Sequence, residues 1–314
     1  MGIYLLRRFV ALIPVLIIVG TIIFFIMHLM PGNPASLMLG PEATDEQITA
    51  LSEKMGLDRP VLIQFFEWFK NILRGDFGNS LFFQGMPVTR VVYEHFQATL
   101  FLTLTGLSFA VIFGIVFGVL SAAFHDRLPD RILMVITSIG VAIPNFWLGL
   151  MLALVFAILF PILPPAGYKP LSAGIWTSFR YLILPAVALA FGQASLIARM
   201  TRANMLESLQ NDYIRTARAK GLPEGIVVFK HALKNALIPT ITVIGLSFAN
   251  LMGGAVVTEQ IFNIPGIGRL LIKSVFTRDY PVIEGIVLYI AGAWVLVNLL
   301  VDVAYSFFDP RIKY

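Results

Sequence analysis

The chain has 314 residues, of which 58% are hydrophobic and 13% charged, about half the charged share of an ordinary soluble domain. Mean hydropathy is +0.83, and the net charge of +5 sits mostly in loops between apolar runs, so this composition excludes a soluble globular enzyme and gives no footing for nucleic-acid binding. The absence of cysteine removes disulfides, thiolate metal sites and cysteine nucleophiles.

Taken in order, the pattern predicts an all-α, polytopic membrane protein with six transmembrane helices. Arg7 and Arg8 precede the apolar run 9–30, which is long enough to span and longer than a signal-peptide core of about 7–15 residues. Residues 31–96 form a polar segment. Within it, Thr44-Asp-Glu-Gln reads as a capped helix start. Phe65, Phe66, Trp68, Phe69 and Ile72 make an apolar stripe at helical spacing. That stripe is expected to pack on the outer surface of the membrane domain, with an interfacial amphipathic helix as the alternative. Five further spans are expected near 98–124, 132–160, 181–203, 237–262 and 284–306, with Pro144 interrupting the third and Pro185 opening the fourth. Of the 23 Lys+Arg, short loops on the side of the termini hold most, and the opposite short loops hold few. The positive-inside tendency therefore puts both termini in the cytosol and 31–96 outside.

Between the fourth and fifth spans lies a polar island, residues 199–235, centred on Asp212-Tyr-Ile-Arg-Thr-Ala-Arg-Ala-Lys-Gly221. Asp212 is expected as N-cap. Gly221 supplies a left-handed stop, and Pro223 prevents continuation. Residues 213–220 would then form about 12 Å of helix, with Arg215 and Arg218 on one face. Thr216, Ala217 and Ala219 are small enough for another protein to approach the backbone. So short a helix is marginal alone in water and needs something to pack on. Three uses fit: an orientation signal, contact with anionic lipid headgroups, or a docking helix. The chain carries no Gly-x4-Gly-Lys-[Ser/Thr] loop, no His-x-x-x-His pair and no Gly-x-Ser-x-Gly elbow, so no chemistry of its own is expected.

This island, followed by His231-Ala-Leu-Lys-Asn-Ala-Leu-Ile-Pro239, resembles the cytoplasmic "EAA" loop of ABC-importer permeases. More narrowly, it is similar to the B-type permease of dipeptide, oligopeptide, glutathione and nickel importers. Other stretches agree: Arg7-Arg-Phe with His28-Leu-Met-Pro-Gly-Asn-Pro34, Gly56-Leu-Asp-Arg-Pro60 with Gly75-Asp-Phe-Gly-Asn-Ser80, and Phe262-Asn-Ile-Pro-Gly-Ile-Gly-Arg269 with Arg278-Asp-Tyr-Pro-Val282 and Asp309-Pro-Arg-Ile312. Together they cover essentially the whole chain. The family's Glu-Ala-Ala pattern falls on Arg215-Thr216-Ala217, so contacts made by its acidic residue do not transfer.

The resemblance implies a type I ABC importer permease core in a bacterial inner membrane. It implies a homologous C-type permease, two cytosolic ATPases that carry the ATP and Mg, an extracytoplasmic binding protein and membrane lipid as partners. No cofactor, metal or catalytic residue falls on this chain. The ATPases would dock on Asp212, Tyr213, Arg215, Thr216, Ala217, Arg218, Ala219 and Gly221. The implied divisions are 1–30 as tip and first helix, 31–96 as an extracytoplasmic segment, 97–306 as the core with a coupling loop at 204–236, and 307–314 as a tail. Di- or oligopeptide is the expected substrate, with glutathione as an alternative; Val141-Ala-Ile-Pro-Asn-Phe-Trp147 and Leu163-Pro with Gly167-Tyr168 resemble nickel-type permeases and keep nickel or a metal chelate open. A self-contained ion-coupled carrier or channel would need intramembrane charges as ion sites; those present lie near span ends. Among polar residues in the spans, Asn145, Gln193, Asn250 and Glu259 are candidates to line a pathway, with interhelical hydrogen bonding as their other use. Glu259, near the outer mouth, is expected to meet a peptide's ammonium group, the binding protein or lipid headgroups. Asp302 reads as structural.

Overall fold

The computed structural model describes residues 2–29, 32–40, 42–83 and 85–308. Every regular element among them is helical: α1 (Gly2–Leu29), α2 (Pro34–Leu39), α3 (Asp45–Lys54), α4 (Val61–Leu73), α5 (Val88–Ala123), α6 (Leu128–Ala142), α7 (Asn145–Ala153), α8 (Ile175–Leu209), α9 (Asp212–Ala219), α10 (Glu224–Ile226), α11 (Leu233–Ile261), α12 (Ile267–Thr277) and α13 (Tyr280–Phe308). Wider π-helical turns continue α7 over Leu154–Leu159 and join α10 to α11 over Val227–Ala232.

Four of these runs are long and apolar enough to cross a membrane: α5, α8, Glu224–Ile261 and Tyr280–Val301. A fifth exists only as the pair α6 and α7, bent by 105°. Pro144 sits at the bend with extended backbone and precedes α7, a position where its missing N–H costs the helix no hydrogen bond. The described apolar part of α1, Ile13–Leu29, is shorter than the other spans. The expected count of six therefore resolves into four straight spans, one bent pair and this shorter helix. Pro185 also departs from expectation. It lies inside α8, which starts at Ile175, so it interrupts one hydrogen bond of a long helix and does not open it.

The chain divides into two compact units. The first comprises residues 1–97 and 269–296. Here the aromatic stripe of α4 packs against α1, with Phe24 ring centroids 5.3 Å from Phe65 and 5.2 Å from Trp68. Trp68 Nε1 donates to Glu284 Oε2 of α13 at 2.7 Å. The opposite edge of α4 (Leu62, Phe66) stays exposed. The expected start of α3 is observed as a full capping box, with Thr44 and Gln47 bonding reciprocally. The fully buried carboxylate of Asp279 accepts from Ser80 Oγ (2.5 Å) and from the backbone N–H groups of Leu81 and Phe82 (3.1 Å each), which pins the 80–83 turn.

The second unit comprises residues 98–268 and 297–314. Its central helix is α8, which packs on α6, α7 and α11 and has 61% of its apolar window buried, against 28–33% for the other straight spans. Small residues permit this. On α5, Gly106, Ala110, Gly114 and Gly118 recur every fourth position, and Ala186, Ala190, Ala194 and Ala198 do so on α8. An added Cβ at Gly114 would stand 2.7 Å from Ile197 Cβ, and one at Gly118 would stand 2.7 Å from the Ala198 carbonyl oxygen. Close backbone approach of this kind is how helices associate where no hydrophobic drive separates side chain from lipid. Gly118→Leu should therefore cost about 1–3 kcal/mol through overpacking, read as a lower yield of folded protein and a lower melting temperature in detergent, whereas substitution at Gly253, which has open space around it, should be nearly silent.

A candidate coupling surface

The island folds as a short helix with two distinct faces. Ile214 and Ala217, three apart, are buried at 0% and 6% exposure. They enter a core made of Val119, Ala122, Met205, Val227, Val228, Ala232 and Ala236. Asp212, Tyr213, Arg215, Thr216, Arg218 and Ala219 are exposed. The support that an eight-residue helix needs is therefore supplied by its own chain. Burying Ile214 contributes at most about 3 kcal/mol to that seat.

The caps differ in part from those expected. Asn211, with extended backbone, is the N-cap residue and makes no side-chain capping bond. Asp212 is instead the first helical residue, with its carboxylate exposed and 3.3 Å from Arg215 Nη1. In that first turn it complements the helix dipole. The C-terminal end matches expectation. Gly221 has φ +76°; its N–H donates to the Arg218 carbonyl (2.9 Å), and the Leu222 N–H donates to that of Ala217 (3.4 Å). These are the paired bonds of a Schellman stop, completed by Leu222 packing on the core that holds Ala217.

Side chains tie this helix to its neighbours. Tyr213 Oη and Ser208 Oγ are 2.6 Å apart, and Ser208 Oγ also donates to the Ala232 carbonyl at 3.1 Å. The end of α8, the helix α9 and the π turn before α11 thus share one hydrogen-bonded node. Arg218 reaches Glu224 at 2.6 Å. That hydrogen bond holds its guanidinium protonated even more firmly than usual, although at this exposure the pair adds little stability. Nearly two turns further back along α8, Arg202 Nε and Nη2 each lie 2.8 Å from a different oxygen of the buried Asp130 carboxylate of α6, which also accepts from Ser121 Oγ and from the Asp126 N–H. Sequence reasoning passed over both the Ser208 node and the Asp130–Arg202 pair. An aspartate and an arginine at the ends of apolar helices were the available signal.

The surface therefore offers a rigidly seated helix, exposed on one side and bonded on the other to two long apolar helices. It presents no nucleophile, base or oxyanion donors arranged for chemistry. Residues 114–314 match the family model "Binding-protein-dependent transport system inner membrane component", and residues 1–103 match the model of its N-terminal segment. The chain belongs to that family. It is similar over its full length to "Probable peptide ABC transporter permease protein y4tP" of Sinorhizobium fredii, at 44% identity over 314 residues and 100% of both chains. It is 42% identical to "Glutathione transport system permease protein GsiC" of Escherichia coli over 311 residues, 99% of each chain. It is 43% identical to "Dipeptide transport system permease protein DppB" of Alkalihalophilus pseudofirmus over 331 aligned positions, again 99% of each. A solved structure, "Inward facing conformations of the MetNI methionine ABC transporter", superposes with TM-score 0.57 at 18% identity, covering 70% of this chain and 97% of that one. The fold is thus that of type I ABC importer permeases.

Within this permease the candidate pathway residues fall in different settings. Asn145 is half-buried at the start of α7, its side chain within 3.6–3.8 Å of where Cβ atoms would stand on Gly192 and Gly254. Gln193, the next residue along α8, is half-buried with Oε1 enclosed and lacking a partner among the described residues. Asn250 is exposed, one turn before Gly254 on α11. Glu259 departs from the expected carboxylate at an open mouth. It is fully buried and accepts from Thr99 Oγ1 at 2.5 Å, while Thr99 in turn accepts from the Ile267 N–H at 2.8 Å. The Gly266 backbone crowds it so closely that a Cβ there would overlap the carboxylate. Its role here is to fasten α5 to the segment between α11 and α12. The Asp302 side chain lies outside the described residues.

Proposed function

We propose that this permease carries peptides across the bacterial inner membrane, paired with a homologous permease, powered by two ATPases that dock on the exposed face of α9, and supplied by an extracytoplasmic binding protein. ATP and Mg belong to the ATPase chains, and both termini and α9 face the cytosol. The single observation that carries the coupling role is α9 itself: Ile214 and Ala217 are locked into the chain's own core, and Arg215, Thr216 and Arg218 face outward. The excess of Lys and Arg on the side of α9 supports the orientation. Relatives whose names specify peptide, dipeptide and glutathione support the substrate class. Glutathione, itself a tripeptide, stands as the second reading on the strength of one of them. Closure of the ATPases would move α9 and, through the Ser208 node and Met205, shift α8 and α11 as rigid bodies.

The test is reconstitution of the chain with its cognate partners in proteoliposomes and measurement of ATP-dependent uptake of labelled dipeptide and glutathione. Reversing both charges, Arg215→Glu with Arg218→Glu, should leave folding intact, because both side chains are exposed and their pairs are weak. On the proposal that these guanidiniums meet acidic groups of the ATPases, reversal places like charges together at a cost of several kcal/mol, so uptake and ATPase co-purification should fall by about tenfold or more. Wild-type uptake with full ATPase retention in this double variant would sink the coupling reading.

A further inference from the structure

The unit formed by residues 1–97 and 269–296 holds a cavity of about 820 Å³, within the size range of small-molecule sites. It belongs neither to α9 nor to the candidate pathway residues. Its walls come from the end of α1, from α3, from α4 and from the start of α13. At its base lies Glu284, 8% exposed, with Oε2 taken by Trp68 Nε1 at 2.7 Å. Oε1 accepts no hydrogen bond among the described residues. A carboxylate so enclosed is costly unless something of opposite charge or a further donor satisfies it. Glu53, Asp58 and Glu67 also line the cavity; of the basic groups there, Arg59 is paired with Glu67 at 2.6 Å, His28 is hydrogen-bonded to the Phe24 carbonyl and to Gln64, and the Arg278 guanidinium stands against Gly32. Beside Glu284 the wall is aromatic, with Trp68 and Phe24 5.2 Å apart.

A half-satisfied buried carboxylate, an acidic rim and an aromatic wall make one chemical demand: a cation with donors of its own and an apolar neighbour. Cations are attracted to the faces of such rings, and an ammonium brings three donors for the open oxygen. We propose that this cavity binds a primary ammonium group carried on an apolar body, with Glu284 as its counter-charge and Trp68 and Phe24 as its wall. A soluble amine and an ethanolamine lipid headgroup share this chemistry, and the experiment separates them.

The full transporter complex is placed in phosphatidylcholine nanodiscs and titrated calorimetrically with phenethylammonium and with its neutral counterpart 2-phenylethanol. Saturable binding of the amine is expected, at least about tenfold tighter than the alcohol, the difference a single charge-assisted contact makes. Glu284→Gln keeps an acceptor for Trp68 and should bring the amine to the level of the alcohol. Thr49→Trp, on the exposed face of α3 where it lines the cavity, should block the amine without touching the interior, so the test stands even where the Glu284 variant fails to fold. Repeating the titration with phosphatidylethanolamine in the disc names the source: competition identifies the lipid, unchanged affinity the soluble amine, and both leave the ammonium site in place. Equal binding of amine and alcohol, unchanged amine binding in Glu284→Gln or in Thr49→Trp, or no saturable binding up to the ~10 mM range would overturn it.

Discussion

Ile214→Asp is expected to abolish ATP-driven uptake while the chain still inserts and purifies. Ile214 is fully buried, and with Ala217 it is what seats α9 on the core of Met205, Val227 and Val228. Truncating a buried isoleucine to alanine costs about 2–5 kcal/mol, and placing a carboxylate there costs more. On a helix of eight residues, which has no standing of its own in water, that loss falls on one local equilibrium, seated against released. At 1.4 kcal/mol per factor of ten, the ratio of seated to released helix falls roughly thirtyfold to a few thousandfold. The spans lose contacts only at their ends beneath α9 and stay held by the α5–α8 stripe. Uptake in proteoliposomes reads the loss, and circular dichroism of the purified chain reads the retained helix. Ala50→Asp, exposed on α3 and outside α9, serves as the control that adds a charge without touching the seat or the docking face. If Ile214→Asp transports at the wild-type rate, the buried face of α9 does not carry the coupling.

The second large effect is expected at Arg202. Asp130 has only 4% of its side chain exposed and relies on Arg202, itself 22% exposed, for its charge partner. Removing one member of a buried pair leaves the other uncompensated and costs about 3–5 kcal/mol. The partial exposure of Arg202 points to the lower end. Arg202→Ala should therefore lower the detergent melting temperature by on the order of 10 °C. Asp130→Asn combined with Arg202→Gln removes both charges, keeps polar partners for Ser121 and the Asp126 N–H, and should recover most of the loss. A double variant as unstable as Arg202→Ala would show that the charge pair is not what holds the α5–α6 turn to α8.

Much of this was legible in the residues, for physical reasons that differ by element. The apolar runs announced α5, α8, α11 and α13, because in a bilayer length and composition nearly determine a span. Gly221 was legible because only a residue without Cβ takes its left-handed backbone cheaply. Asp212 was misassigned because Asn211 beside it is an equally good cap by composition, and side-chain type alone does not resolve one position of register. The bend at Pro144 was legible as a break, whereas its 105° depends on the packing of α6 and α7 against α8, which no local signal carries. Glu259 shows the same limit. Polarity near a span end marked it as noteworthy, but whether it faces a pathway or Thr99 is a tertiary matter. The α5 and α8 small-residue stripes were present at four-residue spacing and passed unread, since Gly and Ala there look like ordinary apolar filler. Ala217 was read as a point of approach for another protein, and the burial beneath α9 turned it inward.

On the proposed function, the ATPases meet this permease on the exposed face of α9. The natural chain has no cysteine, so Thr216→Cys introduces a single thiol on that face, and Asp126→Cys places one on the turn after α5, where the Asp126 side chain is 84% exposed. The assembled complex of each variant is treated with a short bismaleimide, and the products are resolved by mass. A permease–ATPase adduct is expected from Thr216→Cys in high yield and little or none from Asp126→Cys, with adduct formation stopping uptake. An adduct from Asp126→Cys with none from Thr216→Cys would contradict docking on α9.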